Sequence, residues 1–561
     1  MKLKILLFSI LAVASSEVLL AQTLPVGQPD YIEDAYRRQQ LLGNDTSRAS
    51  FMIRPLVLSE RNNLDLNGSG EGQGIRDWNK LLWKNQQGNA EVRALPVIWQ
   101  QQYTSHHPFS MNDGAMIPSK GYETLISAGI YAKYGPLSVQ LRPEYVFAQN
   151  SDYTTLSEAG NEAIFMTAYA NYLGRTDQPE RYGNGSYSKL GWGQSSVRLS
   201  FDPVSIGLSN ENLWWGPGTR GSLLMSNNAA GFKHLTLNTT RPVNTPIGSF
   251  EAQLIAGKLE ASGYAKPENL TIRSRPDDWR YLSGLAITYQ PKWIKGLFLG
   301  LDRTYTIYHD NLGNGFSDYF PVFSGVSKSA YLNETTGIDE ESQPRDQRIS
   351  VFARWVMPES HSEIYFQYAK NDHNYNLRDA LTEPEHQRAY LAGVRKLIPL
   401  SKTAEYIQVG LEVIQLEASG NKVVRGGGNF YTHGQVRDGY THNGEVLGAG
   451  IGSGSNLQSV DVSWVKGIKK VGFQFERIVQ NNDLFYAAFA SSKNYIRHWI
   501  DLGFTGKFDW DYKRFVLSSQ LSYIKSLNYQ YRFNPEGDFF WNWKKQDANN
   551  VQLKVGLMYR L

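Results

Sequence analysis

The chain ends on VQLKVGLMYRL, residues 551–561. Val551, Leu553, Val555, Leu557, Tyr559 and Leu561 are apolar, and Gln552, Lys554, Gly556, Met558 and Arg560 stand between them. A two-residue period held this long describes a strand with one apolar face and one largely polar face. Its eleven residues match the length a tilted strand needs to cross a bilayer. The ending Lys554-x-Gly556-x-x-Tyr559-x-Leu561 has the polar-x-Gly-x-x-aromatic-x-hydrophobic form of an outer-membrane barrel terminus, with Leu561 where Phe is commoner.

The same rhythm recurs upstream. Leu137, Val139 and Leu141 alternate with Ser138, Gln140 and Arg142; Ile407, Val409, Leu411 and Val413 with Gln408, Gly410 and Glu412; Val471, Phe473 and Phe475 with Gly472, Gln474 and Glu476. Short connections fall near Tyr134–Pro136, Asp202-Pro203, Asn244–Gly248, Pro291–Lys295, Met357–Ser360, Leu397–Thr403, Gly467–Lys470 and Asp509–Lys513. Long ones cover about 104–120, 150–190, 213–231, 260–281, 308–346, 371–385, 418–455, 481–496 and 532–548. Together they join eighteen antiparallel strands starting near Glu91. Short turns at one end and long loops at the other are the asymmetry of an outer-membrane barrel, with the turns in the periplasm. A propeller would repeat a motif of about 40 residues, and none is found.

Composition agrees. Aromatic residues make up 13% of the 561-residue chain, with 33 Tyr and 14 Trp, while the mean hydropathy is −0.43. There is no cysteine, so stability rests on backbone hydrogen bonds and packing. Met1-Lys2-Leu3-Lys4, an apolar run from Ile5 to about Ala14 and Leu19-Leu20-Ala21-Gln22 read as a cleavable signal peptide over 1–21, although Leu19 is large for a cleavage site. The absence of cysteine excludes a lipoprotein anchor. Of 57 basic and 53 acidic residues, Lys2, Lys4 and Glu17 belong to this leader, leaving 55 against 52 and a net charge of +3. That balance does not suit a nucleic-acid partner. No apolar run after Gln22 is long enough for a transmembrane helix.

Residues 22–90 read differently from the barrel over 91–561. PDYIEDAYRRQQLLGN (29–44) and GIRDWNKLLWKNQQG (74–88), with Ile75, Trp78, Leu81 and Leu82 at helical spacing, predict two short amphipathic helices. Lying before the first strand, they are expected at the periplasmic mouth as a plug, because their apolar faces need a surface to bury. A loosely attached tail is the plainer alternative.

Two loops carry candidate carbohydrate-binding residues. In 213–231, Gly216-Pro217-Gly218 fixes a turn, while Trp214, Trp215, Arg220, Asn227 and Asn228 offer aromatic faces, a guanidinium fork and amides. These groups suit sugar rings and hydroxyls; equally, the tryptophans can pack a loop inside the barrel, which is the favoured reading. In 532–548, Phe539, Phe540, Trp541, Trp543, Lys544 and Lys545 suit an acidic sugar, or form part of the outer aromatic girdle. Catalysis and metal binding find little support. Glu383 and Glu385 near His386 form an ordinary acidic turn, and His106, His107, His433 and His442 lack zinc-site spacing. Gly426-Gly427-Gly428 lacks the Lys-Ser/Thr of a phosphate loop. No cofactor is expected.

LWWGPGTRGSLLMSNNAAGF (213–232), MNDGAMIPSKGYETLISAGIYAKYGPLSVQLRPEYV (111–146), NLRDALTEPEHQRAY (376–390) and YTHGQVRDGYTHNGEVLGAG (431–450) together resemble the capsule assembly Wzi family. The resemblance spans most of the mature chain and is weakest over the N-terminal segment. It implies an eighteen-stranded outer-membrane barrel with a helical element on the periplasmic side. It also implies a lectin-like, non-enzymatic function: anchoring capsular polysaccharide or related exopolysaccharide at the cell surface. The count of eighteen leans on that resemblance, whereas the alternation of short and long connections stands on its own. The expected partners are surface polysaccharide, the surrounding outer-membrane lipid and lipopolysaccharide, and the polysaccharide export machinery, with the protein itself a monomer. A diffusion porin is the alternative, since a barrel this wide leaves an aqueous lumen unless something fills it.

Overall fold

A computed structural model describes residues 22–27, 30–45, 47–58, 66, 78–324, 331–333, 337–339, 344–371, 377–402, 404–419, 428–489, 497–532 and 546–561. The expected signal peptide and the candidates Phe539, Phe540, Trp541, Trp543, Lys544 and Lys545 lie outside these residues.

Eighteen antiparallel strands form one closed barrel. They are β1 (Ala90–Thr104), β2 (Gly121–Tyr134), β3 (Leu137–Leu141 continued by Glu144–Ala148), β4 (Tyr187–Gly191 continued by Ser196–Phe201), β5 (Val204–Ser209) and β6 (His234–Thr239 continued by Val243–Thr245). The ring continues through β7 (Gly248–Leu259), β8 (Arg280–Pro291), β9 (Leu297–Tyr308), β10 (Asp346–Met357), β11 (Ser362–Asn371) and β12 (Arg388–Pro399). It finishes with β13 (Tyr406–Gln415), β14 (Asn456–Lys466), β15 (Lys469–Val479), β16 (Ile500–Tyr512), β17 (Phe515–Leu527) and β18 (Ala548–Tyr559). Each strand pairs with its sequence neighbour, and β18 closes on β1 from Gln552↔Thr104 to Tyr559↔Val97. All eight short turns and nine long loops fall between the strands as the sequence placed them.

The barrel is polar inside and apolar outside. On β15, Val471 and Phe473 are 44% and 51% exposed, whereas Lys470, Gln474 and Glu476 are buried. On β18, Val551 and Leu553 face outward while Asn550 and Gln552 are buried. Two-residue alternation thus gives lipid one face and the lumen the other. Near the short turns, Trp464 stacks on Trp510 at 6.4 Å and Trp510 lies beside Phe508 at 5.7 Å, part of an aromatic girdle. Pro96 interrupts β1, where the register with β2 shifts between Leu95 and Ile98; lacking an N–H, proline cannot serve the ladder there.

Helix α1 (Asp30–Leu41) lies inside the barrel near the short turns. Leu41 packs with Phe298, Val356, Leu397 and Val465. Arg38 donates to the carbonyl of Gly467 at 2.7 Å, and Gly467 belongs to the turn joining β14 to β15. The second expected helix does not form over the described residues: Lys80–Lys84 is a strand. The reason is non-local. β18 stops against Val97, leaving the start of β1 an open edge, and Lys80–Lys84 pairs with it from Lys80↔Ala94 to Lys84↔Glu91. The backbone hydrogen bonds that an open edge requires prevail over the local 3.6-residue pattern.

Candidate functional site

The loop after β5 turns inward and crosses the lumen. Trp214 and Trp215 form a short ladder with Arg54 and Ile53, and the Gly216 N–H donates to the Met52 carbonyl at 2.8 Å. Gly216 sits at φ +124° with Gln367 and Ser222 closing on the position a Cβ would take, so a side chain here would be strained and crowded. The Arg54 guanidinium covers the Trp214 ring at 4.4 Å. Trp215 is fully buried and its Nε1 donates to Gln253 at 2.8 Å. Further along, the Thr219 and Arg220 N–H groups donate to Glu412 of β13 at 2.7 and 2.9 Å. The Arg220 fork binds Glu476 of β15 at 2.7 and 2.9 Å. Asn227 donates to the Asn112 carbonyl at 2.9 Å, and Asn228 to the Val446 carbonyl at 3.0 Å. The five candidates from this loop are therefore brought together, but inside the barrel, with their polar groups largely engaged by the fold.

The loop after β13 meets this one from above. Leu213, Trp215, Leu223, Leu224, Met225 and Phe232 form one apolar cluster with Tyr431, Tyr440, Val446, Leu447 and Ala449, closed by inward residues of β7, β8, β11, β12, β13, β14 and β15. Between this layer and α1 a charged cavity of about 270 Å³ remains. Around it Arg37 pairs with Glu363 at 2.8 Å and Arg54 with Glu33 at 3.2 Å. Asp34 meets Arg395 at 2.8 Å and Lys470 at 3.3 Å. Burial pushes the Asp34 carboxyl up, but Lys470, Arg38 and Arg395 outweigh it and hold that group well below the usual carboxylate range.

On the long-loop face, α2 (Ala163–Leu173) and α3 (Asn482–Phe489) pack through Phe165, Tyr169, Leu484, Phe485 and Phe489. A groove of about 580 Å³ runs beside them, lined by Ile164, Thr167, Asn171, Tyr172, Arg175 and Asn429 among others. Hydroxyls, amides and an arginine beside apolar surface are the groups that sugars engage. Sequence reasoning missed this groove, because its walls come from loops more than 250 positions apart. Also missed were the exposed Phe316 and Phe323 and the Trp279–His309 stack, with centroids 4.5 Å apart.

Other chemistry-bearing residues are occupied structurally. The His433 Nδ1 accepts from the Val436 N–H at 2.9 Å, and the His442 Nδ1 from the Glu260 N–H at 3.0 Å. Glu383 lies 3.7 Å from His386, and Glu385 accepts from Ser419 at 3.2 Å. Among the described residues, Asp278, His309 and Asp310 alone gather metal-ligating atoms within 4.8 Å of one another.

Residues 100–544 match the sequence model of the family described as capsule assembly protein Wzi. The chain belongs to that family. No curated protein matches it in sequence. In structure it is similar to Wzi of Escherichia coli, at 12% identity and a TM-score of 0.60, over 96% of this chain and 100% of that one. That protein is described as a carbohydrate-binding β-barrel of the outer membrane involved in group 1 capsule assembly. OccAB2 of Acinetobacter baumannii aligns at 8% identity and a TM-score of 0.40, over 84% of this chain and 98% of that one. A BenF-like porin of Pseudomonas fluorescens aligns at 7% identity and a TM-score of 0.38, over 84% and 99%. This Wzi-family chain is an outer-membrane protein, its barrel carrying the apolar outer face such a location demands.

Proposed function

We propose that this Wzi-family barrel binds surface polysaccharide on its long-loop face and anchors it to the cell without turnover. The observation that carries this reading is the inward packing of the loops after β5 and β13 across the lumen. It makes the outer end a floor rather than a pore mouth, and the groove beside α2 and α3 lies on that floor. The short turns then face the periplasm, where α1, with Leu24, Phe51, Leu56 and Leu58 packed against it, acts as a second, lower plug. The E. coli relative's description as carbohydrate-binding supports the choice of ligand. Affinity would come from several weak contacts along a polymer. Phe539, Phe540, Trp541, Trp543, Lys544 and Lys545 of the last long loop remain proposed contributors on sequence grounds. The lumen-facing Trp214, Trp215, Arg220, Asn227 and Asn228 serve the proposed function by holding the floor in place. The protein works as a monomer beside the export machinery, with lipopolysaccharide around its wall.

Deleting the gene and measuring cell-bound against released polysaccharide tests the anchoring role. Retention should fall, with total synthesis unchanged; unchanged retention refutes the reading. A large steady open state of the purified barrel in a planar bilayer would support a porin instead.

A further inference from the structure

The loop joining β7 to β8 lies over the inward-folded loop after β13. Arg437 of the latter donates to the carbonyl of Ser274, and Lys266 donates to the carbonyl of Arg273 at 2.8 Å. Arg275 donates to the Thr176 carbonyl at 3.2 Å. Two buried carboxylates lie beneath. Asp177 pairs with Arg275 at 2.6 Å, and Asp438 with Arg275 at 3.4 Å and Arg280 at 3.7 Å. Ser262 and Tyr308 also bond to them, the Ser262 hydroxyl to Asp177 at 2.8 Å and the Tyr308 hydroxyl to Asp438 at 2.7 Å. Both acids are thus committed to Arg275 and Arg280.

Lys266, Arg273 and Arg437 are left over. Among the described residues no carboxylate reaches ion-pair distance of any of them. The loop's own Glu260 pairs with Lys258 at 3.3 Å, and Asp278 accepts from the Asp310 N–H at 2.9 Å. Burial, helped by Arg275 and Arg437 and opposed by Asp438 and Asp177, pushes the Lys266 ammonium down to about 8. Burial and then Arg273 likewise lower Arg437. Lys266 and Arg437 are held side by side on the adjacent carbonyls of Arg273 and Ser274 while the nearby acids bind elsewhere, a gathering of positive charge that an added anion would stabilise. Guanidinium forks suit the planar, two-oxygen geometry of a carboxylate.

Position selects the source of that anion. Arg437 belongs to the loop that floors the barrel, and its neighbour Asp438 accepts from the Asp177 N–H at 2.8 Å. Arg175, at the end of the α2 groove, accepts from the His433 N–H at 3.1 Å. The cluster therefore lies over the barrel mouth and next to the groove, away from the lipid-facing wall. We propose that Lys266, Arg273 and Arg437 form a subsite for the carboxylate of an acidic sugar unit, such as a uronate, in a polymer lying along the groove. This rests on the polysaccharide-binding reading and narrows it to an anionic polymer.

The probe is polysaccharide extracted from the host surface, used as isolated and after chemical reduction of its carboxyl groups. Binding is measured to the full purified chain in detergent. Wild type should bind the native polymer about tenfold more tightly than the reduced one, the scale of one charge-assisted contact. Lys266→Ala combined with Arg437→Ala should bind both forms as wild type binds the reduced form. Lys266→Arg, which keeps the charge, should retain the preference; a heat-modifiable gel shift verifies folding of each variant. Wild-type preference should also decline as pH rises past about 8, as Lys266 loses its proton. Equal wild-type binding of both forms, or an undiminished preference in the double variant, overturns the subsite alone. No binding of either form overturns the polysaccharide reading itself. Loss in the variant of binding to lipopolysaccharide vesicles, with polymer binding unchanged, would assign the cluster to lipid phosphate and overturn the proposal.

Discussion

Replacing Asp34 by Asn leaves the shape of α1 almost unchanged but removes the charge that Arg38, Arg395 and Lys470 share. Lys470 retains Asp461 at 3.8 Å, and Arg395 retains Glu363 at 3.8 Å, both longer contacts than those lost. Breaking one side of a buried ion pair costs about 3–5 kcal/mol, because the other charge stays desolvated. At about 1.4 kcal/mol per tenfold change, the undocked population of α1 should rise roughly a hundred- to several-thousand-fold. Hydrogen exchange read on the amides of Asp30–Leu41 reports that population, provided the barrel strands remain protected. Adding Lys470→Met to Asp34→Asn should cost less than the two single changes summed, since the second removes the stranded cation. The wild type also predicts a pH dependence. The Asp34 carboxyl is held below its ordinary value, so its contribution is present above the unfolded pKa of about 3.9. It is lost as pH falls through the folded value. Acidification below about pH 4 should therefore loosen α1 in wild type, with that component missing in Asp34→Asn. Exchange in α1 within two- to threefold of wild type at neutral pH would refute the idea that this network seats the helix.

Two further outcomes follow from the lumen packing. Trp215→Ala removes a fully buried ring that reaches Gly284 of β8 and donates to Gln253 of β7. A loss of about 3–5 kcal/mol should lower the Tm, and planar-bilayer recordings should show openings absent from wild type; silent recordings with an unchanged Tm would contradict a sealing role. Glu445→Gln acts in the opposite direction. Burial, then Asp113 and Glu123, push the Glu445 carboxyl well above its usual range. Stability tied to this raised group is full below about pH 4.3 and is lost as pH rises through its folded value. The variant should therefore equal or exceed wild-type Tm at pH 7, by a margin that widens on raising the pH.

What was legible in the sequence followed one physical rule. A strand between lipid and a polar lumen must alternate, so Val551–Leu561 and its counterparts declared themselves, and their interruptions marked the turns. Trp214 and Trp215 were harder to place. A glycine-pinned aromatic loop has the same composition whether it faces a sugar outside or packs against Ile255 and Leu282 inside. Only the fold shows that these loops build an apolar core inside the lumen together with inward residues of the wall strands. Leu81 and Leu82 misled because strand pairing with Glu91–Ala94 is a long-range demand that local spacing does not register. The groove and the cationic cluster were invisible for a related reason. Lys266 and Arg437 are 171 positions apart in the chain and become neighbours only when their loops fold over the same mouth.

The short strand Lys80–Lys84 also bears on how these molecules behave in a crowd. It covers the stretch of β1 that β18 does not reach. Without it, the backbone of Glu91–Ala94 would stand open at the rim, and an open edge is a template for a second chain. A barrel trimmed ahead of Ala90 would keep all eighteen wall strands yet carry an adhesive rim, inviting edge-to-edge association between molecules. The segment covers that edge of β1 and presents in its place a short exposed strand bounded by Lys80 and Lys84, charges of the kind that blunt an edge, a role separate from filling the lumen.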